Sequence, residues 1–391
     1  MDFGFSEEQQ KFKQEVRDFC QNEPQGKLTD VRGFSPSFYK RIAEKGWFGL
    51  RLPKKYGGQE KDAIYEVIFL EEAGYNRAPI TLYGTSVFYF ANLILKFGSE
   101  QLKSKYLTRI IKGEITGGQA FTEPESGSDL ASVQCRAVRS GDYYIVNGNK
   151  TFTSLINHTD GFSLLMARTD PDAPLEKGIS FLIMDNNTPG INYTPLEVVH
   201  EGNTHQVFLD NVKIPKENLL GEENKGWDYF IQTKAYYWNK LRALEVGTMQ
   251  RIFDNIIQYT EETGSGGSPL CRDAQIRQKL ANMAVDIKIM RLLTYQMAWM
   301  LTKDLDVFNQ GAMLKVFGEQ AILRFFDSAM QILGLIGQLG KGEKHAPLGG
   351  VMEWEYRRNS NKHFSDGGTI VARNFIAAHV LDLPESLQGG R

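Results

Sequence analysis

Four short stretches between residues 143 and 209 decide how this chain folds. They are Tyr143-Tyr-Ile-Val-Asn-Gly148, Phe162-Ser-Leu-Leu-Met-Ala167, Gly178-Ile-Ser-Phe-Leu-Ile-Met184 and His205-Gln-Val-Phe-Leu209. Each is apolar and rich in β-branched or aromatic residues, and Asn, Asp, Gly and Pro separate them, as between strands joined by tight turns. They predict an antiparallel β domain that begins near Ile115, where the hydrophobic period changes.

The period is helical on both sides. Ser6-Glu-Glu-Gln9 reads as a helix cap, and Phe12, Val16 and Phe19 follow at the spacing of one helix face. Further helical patterns cover Ile64–Tyr75, Ser86–Phe97 and Glu100–Ile111. Beyond Gly226-Trp227 the helices return and lengthen: Ile276, Leu280, Met283, Ile287, Met290 and Leu293 form a sustained stripe of the kind that lines a bundle. Two glycine-rich breaks, Gly264–Ser268 and Gly334–Gly350, interrupt the bundle, and a last helix is expected from about Thr369 to Val380. The predicted fold is therefore α+β: an N-terminal helical domain (1–114), a middle antiparallel β domain (115–225) and a C-terminal four-helix bundle (226–391).

Composition narrows the function. The 391 residues carry 45 Lys+Arg against 47 Asp+Glu, a formal charge of −2, so no cationic excess exists to hold nucleic acid. Three widely spaced cysteines, Cys20, Cys135 and Cys271, form no CxxC pair or His/Cys cluster, which argues against a disulfide framework or a zinc site. No apolar run approaches the ~18 residues of a membrane span. The acidic, amphipathic start lacks a signal-peptide pattern, which points to the cytoplasm.

The densest polar motif is Phe121-Thr-Glu-Pro-Glu-Ser-Gly-Ser-Asp129. Thr122, Gly127 and Ser128 can offer hydroxyl and backbone N–H groups to a cofactor carbonyl or phosphate; read alone, the segment is first of all a surface loop of Asx and Ser turns. No GxGxxG opens a βαβ unit, Gly334–Gly342 lacks the GK[ST] ending of a phosphate loop, and there is no HExxH or GxSxG. Asp366, in Ser365-Asp-Gly-Gly-Thr369, is by itself a turn residue ahead of a helix that Thr369 can cap.

Taken together, these stretches resemble the acyl-CoA dehydrogenase family along nearly the whole chain. Thr122-Glu-Pro-Glu-Ser-Gly-Ser-Asp129 is similar to its flavin-loop signature. Asn147-Gly-Asn-Lys150 with Phe152 and Ser154 is similar to its NGxKxWIT strand. Residues 208–226, FLDNVKIPKENLLGEENKG, resemble the end of its β domain, and the segment from Arg373 to Pro384 resembles its closing RNIIAERVLGLP. The resemblance implies FAD as cofactor, an acyl-CoA substrate, an electron-transfer flavoprotein as acceptor and a homotetramer or heterotetramer. It places Phe121 and Thr122 against the flavin ring, Gly127 and Ser128 near the pyrophosphate and the substrate, Phe152 and Ser154 over the ring face and its N5 edge, and Gln331 and Thr369 among the cofactor contacts. Phe152 stands where Trp is common, and Ser154 where Thr is.

The family reaction removes an α-proton with a carboxylate while the β-hydrogen leaves as hydride. The base lies seven residues before an Arg of the last helix, which from Arg373 is Asp366; counting instead from Gly368-Thr369 puts Gly367 there. Relatives that draw the base from the first bundle helix match Tyr237, and Glu245 lies on the same face two turns on. An Arg that grips FAD in the family matches Thr263, and its CoA-binding residues match near Ala235 and Trp238. The Gly266–Leu270 pattern with Arg277-Gln-Lys-Leu280 resembles a branch found as heteromeric pairs acting on bulky or ring-bearing acyl-CoAs. A flavin oxidase or monooxygenase on the same fold, and a non-catalytic partner subunit, are the alternative readings.

Overall fold

The computed structural model describes residues 4–22, 35–80, 84–199, 204–265, 268–363 and 368–384. Its helices and strands in chain order begin with α1 (Glu7–Gln21), α2 (Pro36–Glu44), α3 (Ala63–Tyr75), α4 (Asn92–Phe97), α5 (Glu100–Leu102) and α6 (Thr108–Ile111). Seven strands follow: β1 (Gly117–Ala120), β2 (Arg136–Ser140), β3 (Tyr143–Ser154), β4 (Phe162–Arg168), β5 (Ile179–Asp185), β6 (Ile191–Pro195) and β7 (Thr204–Pro215). The chain then forms α7 (Gly226–Glu262), β8 (Gly264–Ser265), β9 (Ser268–Pro269), α8 (Ala274–Thr302), α9 (Phe308–Leu333), α10 (Val351–Asn359) and α11 (Gly368–His379). These elements gather into two compact units that do not follow chain order, one from residues 26–62 and 79–237, the other from 1–25, 63–78 and 238–391.

The first unit is built on a seven-stranded sheet in the order β1-β4-β2-β3-β7-β6, with β5 also paired to β4. The pairings β2–β3, β3–β7, β6–β7 and β4–β5 are antiparallel, as the turn-separated stretches predict. The expectation of a purely antiparallel domain needs correction: β1 runs parallel to β4, and β2 meets β4 in parallel at Arg136–Arg168. All seven residues of β4 are buried, the two-sided burial that parallel pairing usually requires. Tyr144, Val146, Leu165, Leu182, Val207 and Val212 supply the core of the sheet.

In the second unit Val246, Met249, Ile252 and Ile256 of α7 pack with Met283, Ile287 and Met290 of α8, with Phe325 and Phe326 of α9 and with Met352 of α10. The predicted stripe on α8 thus faces the core, its first members Ile276 and Leu280 only partly covered. α11 lies against α9, the ring of Phe375 meeting that of Phe308 at 3.9 Å. The two N-terminal helices α1 and α3 belong to this unit as well. α1 begins with the predicted cap: Ser6 Oγ accepts from the Gln9 amide while the Gln9 side chain accepts from the Ser6 amide. α3 approaches α7 until a Cβ on Gly247 would stand 1.9 Å from the Glu71 carbonyl, so only glycine fits there. Tyr75 Oη donates to Asp254 at 2.9 Å, and Arg291 pairs with Glu71 at 3.0 Å.

Candidate functional site

β1 delivers the chain into the loop 121–129, and β3 runs beside it. A Cβ on Gly118 would lie 2.3 Å from the Ser154 carbonyl, so the glycine lets β1 approach the end of β3. Thr151 N–H donates to the Thr122 carbonyl at 2.8 Å, tying loop to strand. Lys150 is fully buried; its Nζ donates to the Phe121 carbonyl at 3.0 Å and to Glu123 Oε1 at 2.6 Å. Glu123 in turn accepts from the Gln134 and Cys135 amides at 2.7 and 2.9 Å. Arg168 closes the far side of the loop, donating to the carbonyls of Ala131 and Leu175 at 2.7 Å and of Val133 at 3.3 Å. Burial holds the Arg168 pKa below its ordinary value, with Glu123 and Asp170 opposing that fall. These charges serve backbone groups, which fixes the loop without exposing an ion pair.

Next to this anchor β3 bulges. Lys150 pairs with Val207 and Thr153 with His205, so three steps on β3 oppose two on β7. The bulge turns Phe152 into left-handed backbone, φ 55°, a conformation that costs a residue with a side chain ~1–2 kcal/mol. The ring that results is 62% exposed. The bulge also leaves Thr153 Oγ1 and His205 Nδ1 buried without a hydrogen-bond partner, and burial pushes the His205 pKa down. Strain and unpaired polar atoms concentrated at one exposed aromatic are typical of a functional surface.

Of the residues singled out from sequence, Phe121, Thr122, Gly127, Ser128, Phe152 and Ser154 all fall in this loop and bulge. Phe121 has a packing role: its ring stacks on Phe181 at 5.3 Å and meets Phe230 edge-on at 6.0 Å. Gly127 and Ser128 are exposed. A Cβ on Gly127 would meet only Thr122 Cγ2, at 3.9 Å, so the protein's own packing does not demand glycine there. A planar ring against Phe152 and a phosphate against the Gly127–Ser128 backbone fit this surface. The Lys150–Glu123 pair and Arg168 were missed as site-forming residues; the signal was a lysine at an inward position of a strand, where an unpaired charge is prohibitively costly.

Gln331 and Thr369 lie in the other compact unit. Gln331 ends α9 on the surface, donating to Asp327 at 2.7 Å and accepting from Lys279 at 2.5 Å. Thr369 is buried in the first turn of α11. Asp366 and Gly367 lie outside the described residues, as do Gly266 and Gly267. Ala235, Tyr237 and Trp238 fall in a stretch of α7 whose side chains are likewise outside the description. Thr263 directly follows α7, its carbonyl accepting from the Leu270 amide across the small β8–β9 hairpin. Glu245, the second base candidate, is committed elsewhere: it pairs with Arg242 at 2.5 Å and Lys362 at 2.8 Å. Against the cost of burial, these two cations hold its carboxyl at about 2, far too acidic for a neutral-pH base. Among the described residues no metal-binding cluster occurs, and no helix is long and apolar enough to cross a membrane. The three cysteines are free, and burial pushes the Cys135 thiol up to about 11.

Three family models match the chain: the N-terminal domain of acyl-CoA dehydrogenase over residues 6–114, its middle domain over 118–212 and its C-terminal domain over 224–381. The chain belongs to the acyl-CoA dehydrogenase family. As such it is an oxidoreductase, an acyl-CoA dehydrogenase divergent in sequence from its characterised relatives. It is 33% identical to the glutaryl-CoA dehydrogenase of Desulfococcus multivorans over 350 residues, 86% of this chain and 89% of that one. It is 30% identical to the caffeyl-CoA reductase-Etf complex subunit CarC of Acetobacterium woodii over 345 residues, 86% of this chain and 90% of the relative. A solved structure described as the Tcur3481-Tcur3483 steroid ACAD matches with a TM-score of 0.90 at 28% identity, covering 99% of this chain and 100% of the other. In this acyl-CoA dehydrogenase the loop 121–129 and the bulged β3 are thus the candidate cofactor surface.

Proposed function

We propose that this acyl-CoA dehydrogenase binds FAD along the loop 121–129 and the β3 bulge and oxidises the α,β-bond of an acyl-CoA thioester. The observation that carries the reading is Phe152: an aromatic ring held in strained backbone and left in solvent, next to Thr151, whose amide ties β3 to the loop that carries Gly127, where no packing need explains the glycine. Bound FAD supplies a hydride acceptor for the substrate β-carbon. The chain's own residues do the rest. Phe152 covers one ring face; Thr122 and Ser154 present hydroxyls to the ring edge; Gly127 and Ser128 offer backbone N–H groups to phosphate oxygens. Asp366 takes the α-proton. Its ordinary pKa near 4 requires desolvation to reach a neutral-pH base, which a bulky acyl group closing over it would provide.

The remaining assignments are of the same standing. An alicyclic or otherwise bulky acyl group is supported by the likeness to the steroid ACAD structure. An electron-transfer flavoprotein as acceptor is supported by the Etf-complex relative. Assembly as a homotetramer or heterotetramer is supported by exposed apolar residues on the helical unit, Val285 and Leu292 seven apart on α8 and Met313 on α9. We place the domain boundaries at 114/115 and 225/226 and the protein in the cytoplasm. The test is anaerobic titration of the purified flavoprotein with straight-chain, branched and ring-bearing acyl-CoAs, repeated with Asp366→Asn. The expected result is bleaching of the flavin band by a bulky thioester and slow or absent bleaching in the variant. Full-rate reduction of Asp366→Asn would remove Asp366 from the role.

A further inference from the structure

The bulge in β3 is held unevenly. Its N-terminal side is secured by Lys150, whose ammonium is spent on the Phe121 carbonyl and Glu123, and by the Thr151 amide on the Thr122 carbonyl. Beyond its C-terminal side the chain is clamped again. Leu155, a second left-handed residue at φ 65°, has its carbonyl held by Asn186 Nδ2 and by the His158 amide, both at 3.0 Å. Ser163 Oγ steadies Asn186 in turn, donating to its Oδ1 at 2.8 Å. Between these clamps β3 pairs with β7 at Thr153–His205 and Ser154–Thr204. Here side-chain bonding stops: Thr153 Oγ1 and His205 Nδ1 have no partner, in residues only 0% and 5% exposed.

Both orphaned atoms belong to one cross-strand pair, and directly opposite residues carry their Cβ atoms ~5 Å apart. They are also matched in kind, since a hydroxyl both donates and accepts and so serves Nδ1 in either neutral tautomer. Burial keeps the imidazole in that neutral form, pushing its pKa down against the opposing bond to the Thr153 backbone. Tyr193 of β6 meets the imidazole edge-on at 5.2 Å, which fixes its plane. The same two groups do join a short way off, where Thr116 Oγ1 and His158 Nδ1 stand 3.3 Å apart. The motif that β3 resembles, NGxKxWIT, has Ile where Thr153 stands, so the hydroxyl is this chain's own addition. Thr153 lies between Phe152 and Ser154, and a shift that joins its hydroxyl to His205 carries the exposed ring and the Ser154 hydroxyl with it. We propose that the Thr153–His205 pair is a latch of the ring-binding surface: joining of Oγ1 to Nδ1 and seating of a planar ring against Phe152 are coupled, each favouring the other. Thr153 and His205 are then positioning residues for the flavin surface. This inference rests on the reading of that surface as the FAD site.

The experiment measures FAD affinity and flavin-free melting temperature for wild type, Thr153→Val, His205→Phe, the double variant, His205→Asn and Phe152→Gly, and follows the His205 ring nitrogens by NMR. One hydrogen bond is worth about three- to tenfold in an equilibrium constant. Thr153→Val and His205→Phe should each weaken FAD binding by about that factor, and the double variant by no more than the worse single, since both remove one bond. His205→Asn, which keeps a donor and an acceptor near the Nδ1 position, should recover most of the affinity. Flavin-free Thr153→Val should melt no lower than wild type, because it removes an unpaired buried hydroxyl. FAD should move the His205 Nδ1 resonance in wild type and far less in Thr153→Val. Should His205→Phe fail to fold, Thr153→Val and the Nδ1 resonance read the same contact. A wild-type affinity in either single variant, losses that multiply in the double, a flavin-free Thr153→Val that melts lower, or an unmoved resonance in wild type overturns the latch. A wild-type affinity in Phe152→Gly, or a wild-type protein that takes up no FAD, overturns the reading of the surface instead.

Discussion

The loop 121–129 and the charge cluster around Arg242 both use buried ions, but to opposite ends. In the β unit, Lys150, Glu123 and Arg168 spend their hydrogen bonds largely on backbone groups: the carbonyls of Phe121, Ala131, Val133 and Leu175 and the amides of Gln134 and Cys135. Each charge there fixes a length of chain, and the side chains left at the surface, Phe152 and Ser128 among them, are free to face a ligand. In the helical unit, charges pair with charges, three cations against two carboxylates, and the pairing leaves Glu319 Oε2 buried without a partner. The first arrangement makes a rigid platform. The second links separate elements, α7, α9 and the turn after α10.

The largest expected effect tests the platform. Lys150→Met leaves the Glu123 carboxylate buried with its cation gone, which should cost ~3–5 kcal/mol. It should appear as a lower melting temperature together with loss of bound flavin; an unchanged melt would mean that Glu123 and the amides hold the loop unaided. Glu245→Gln tests the link and should destabilise by a smaller amount, about 2 kcal/mol, because Lys362 retains water. That contribution also has a pH signature. The native carboxyl sits at about 2 and the unfolded one near 4.3. The stabilisation is therefore full above the unfolded value and is lost as pH falls through the folded one. Wild type should lose stability between about pH 4.5 and 2 by a component that Glu245→Gln lacks, measurable as the difference between their acid denaturation curves.

Smaller effects separate ligand contacts from packing. Phe152→Gly relieves the left-handed backbone and removes a ring that is mostly in solvent, so the flavin-free protein should stay within about 1 kcal/mol of wild type. FAD affinity should fall. A loss of several kcal/mol in the flavin-free protein would instead make Phe152 a packing residue. Gly127→Ala should be the mildest for the fold, under about 0.5 kcal/mol, since Thr122 Cγ2 at 3.9 Å is all that a new methyl would meet. Its consequence is expected in flavin retention, read from the ratio of visible to ultraviolet absorbance.

Much of the architecture was legible in the sequence because it rests on local rules. Short apolar, β-branched runs between turn residues mark β3, β4, β5 and β7, and the Ser6–Gln9 capping box and the α8 stripe mark their helices. What escaped reading depends on partners distant in the chain. The parallel β1–β4 pairing joins strands separated by a hairpin, and α3 packs with α7 and α8, helices that begin more than 160 residues later. The same holds for the site. The flavin-loop residues and the β3 motif could be singled out as local strings, but Lys150 shows its role only when Glu123 and the Phe121 carbonyl are placed beside it. Glu245 stood as a second base candidate until Arg242 and Lys362 were found paired with it.

The central claim is most directly tested by mixing the purified flavoprotein anaerobically with a ring-bearing acyl-CoA and following the flavin band while analysing the thioester. Stoichiometric bleaching with formation of the α,β-unsaturated acyl-CoA is the predicted result. A protein that carries FAD but is neither bleached nor forms enoyl product with any acyl-CoA of the panel would contradict it.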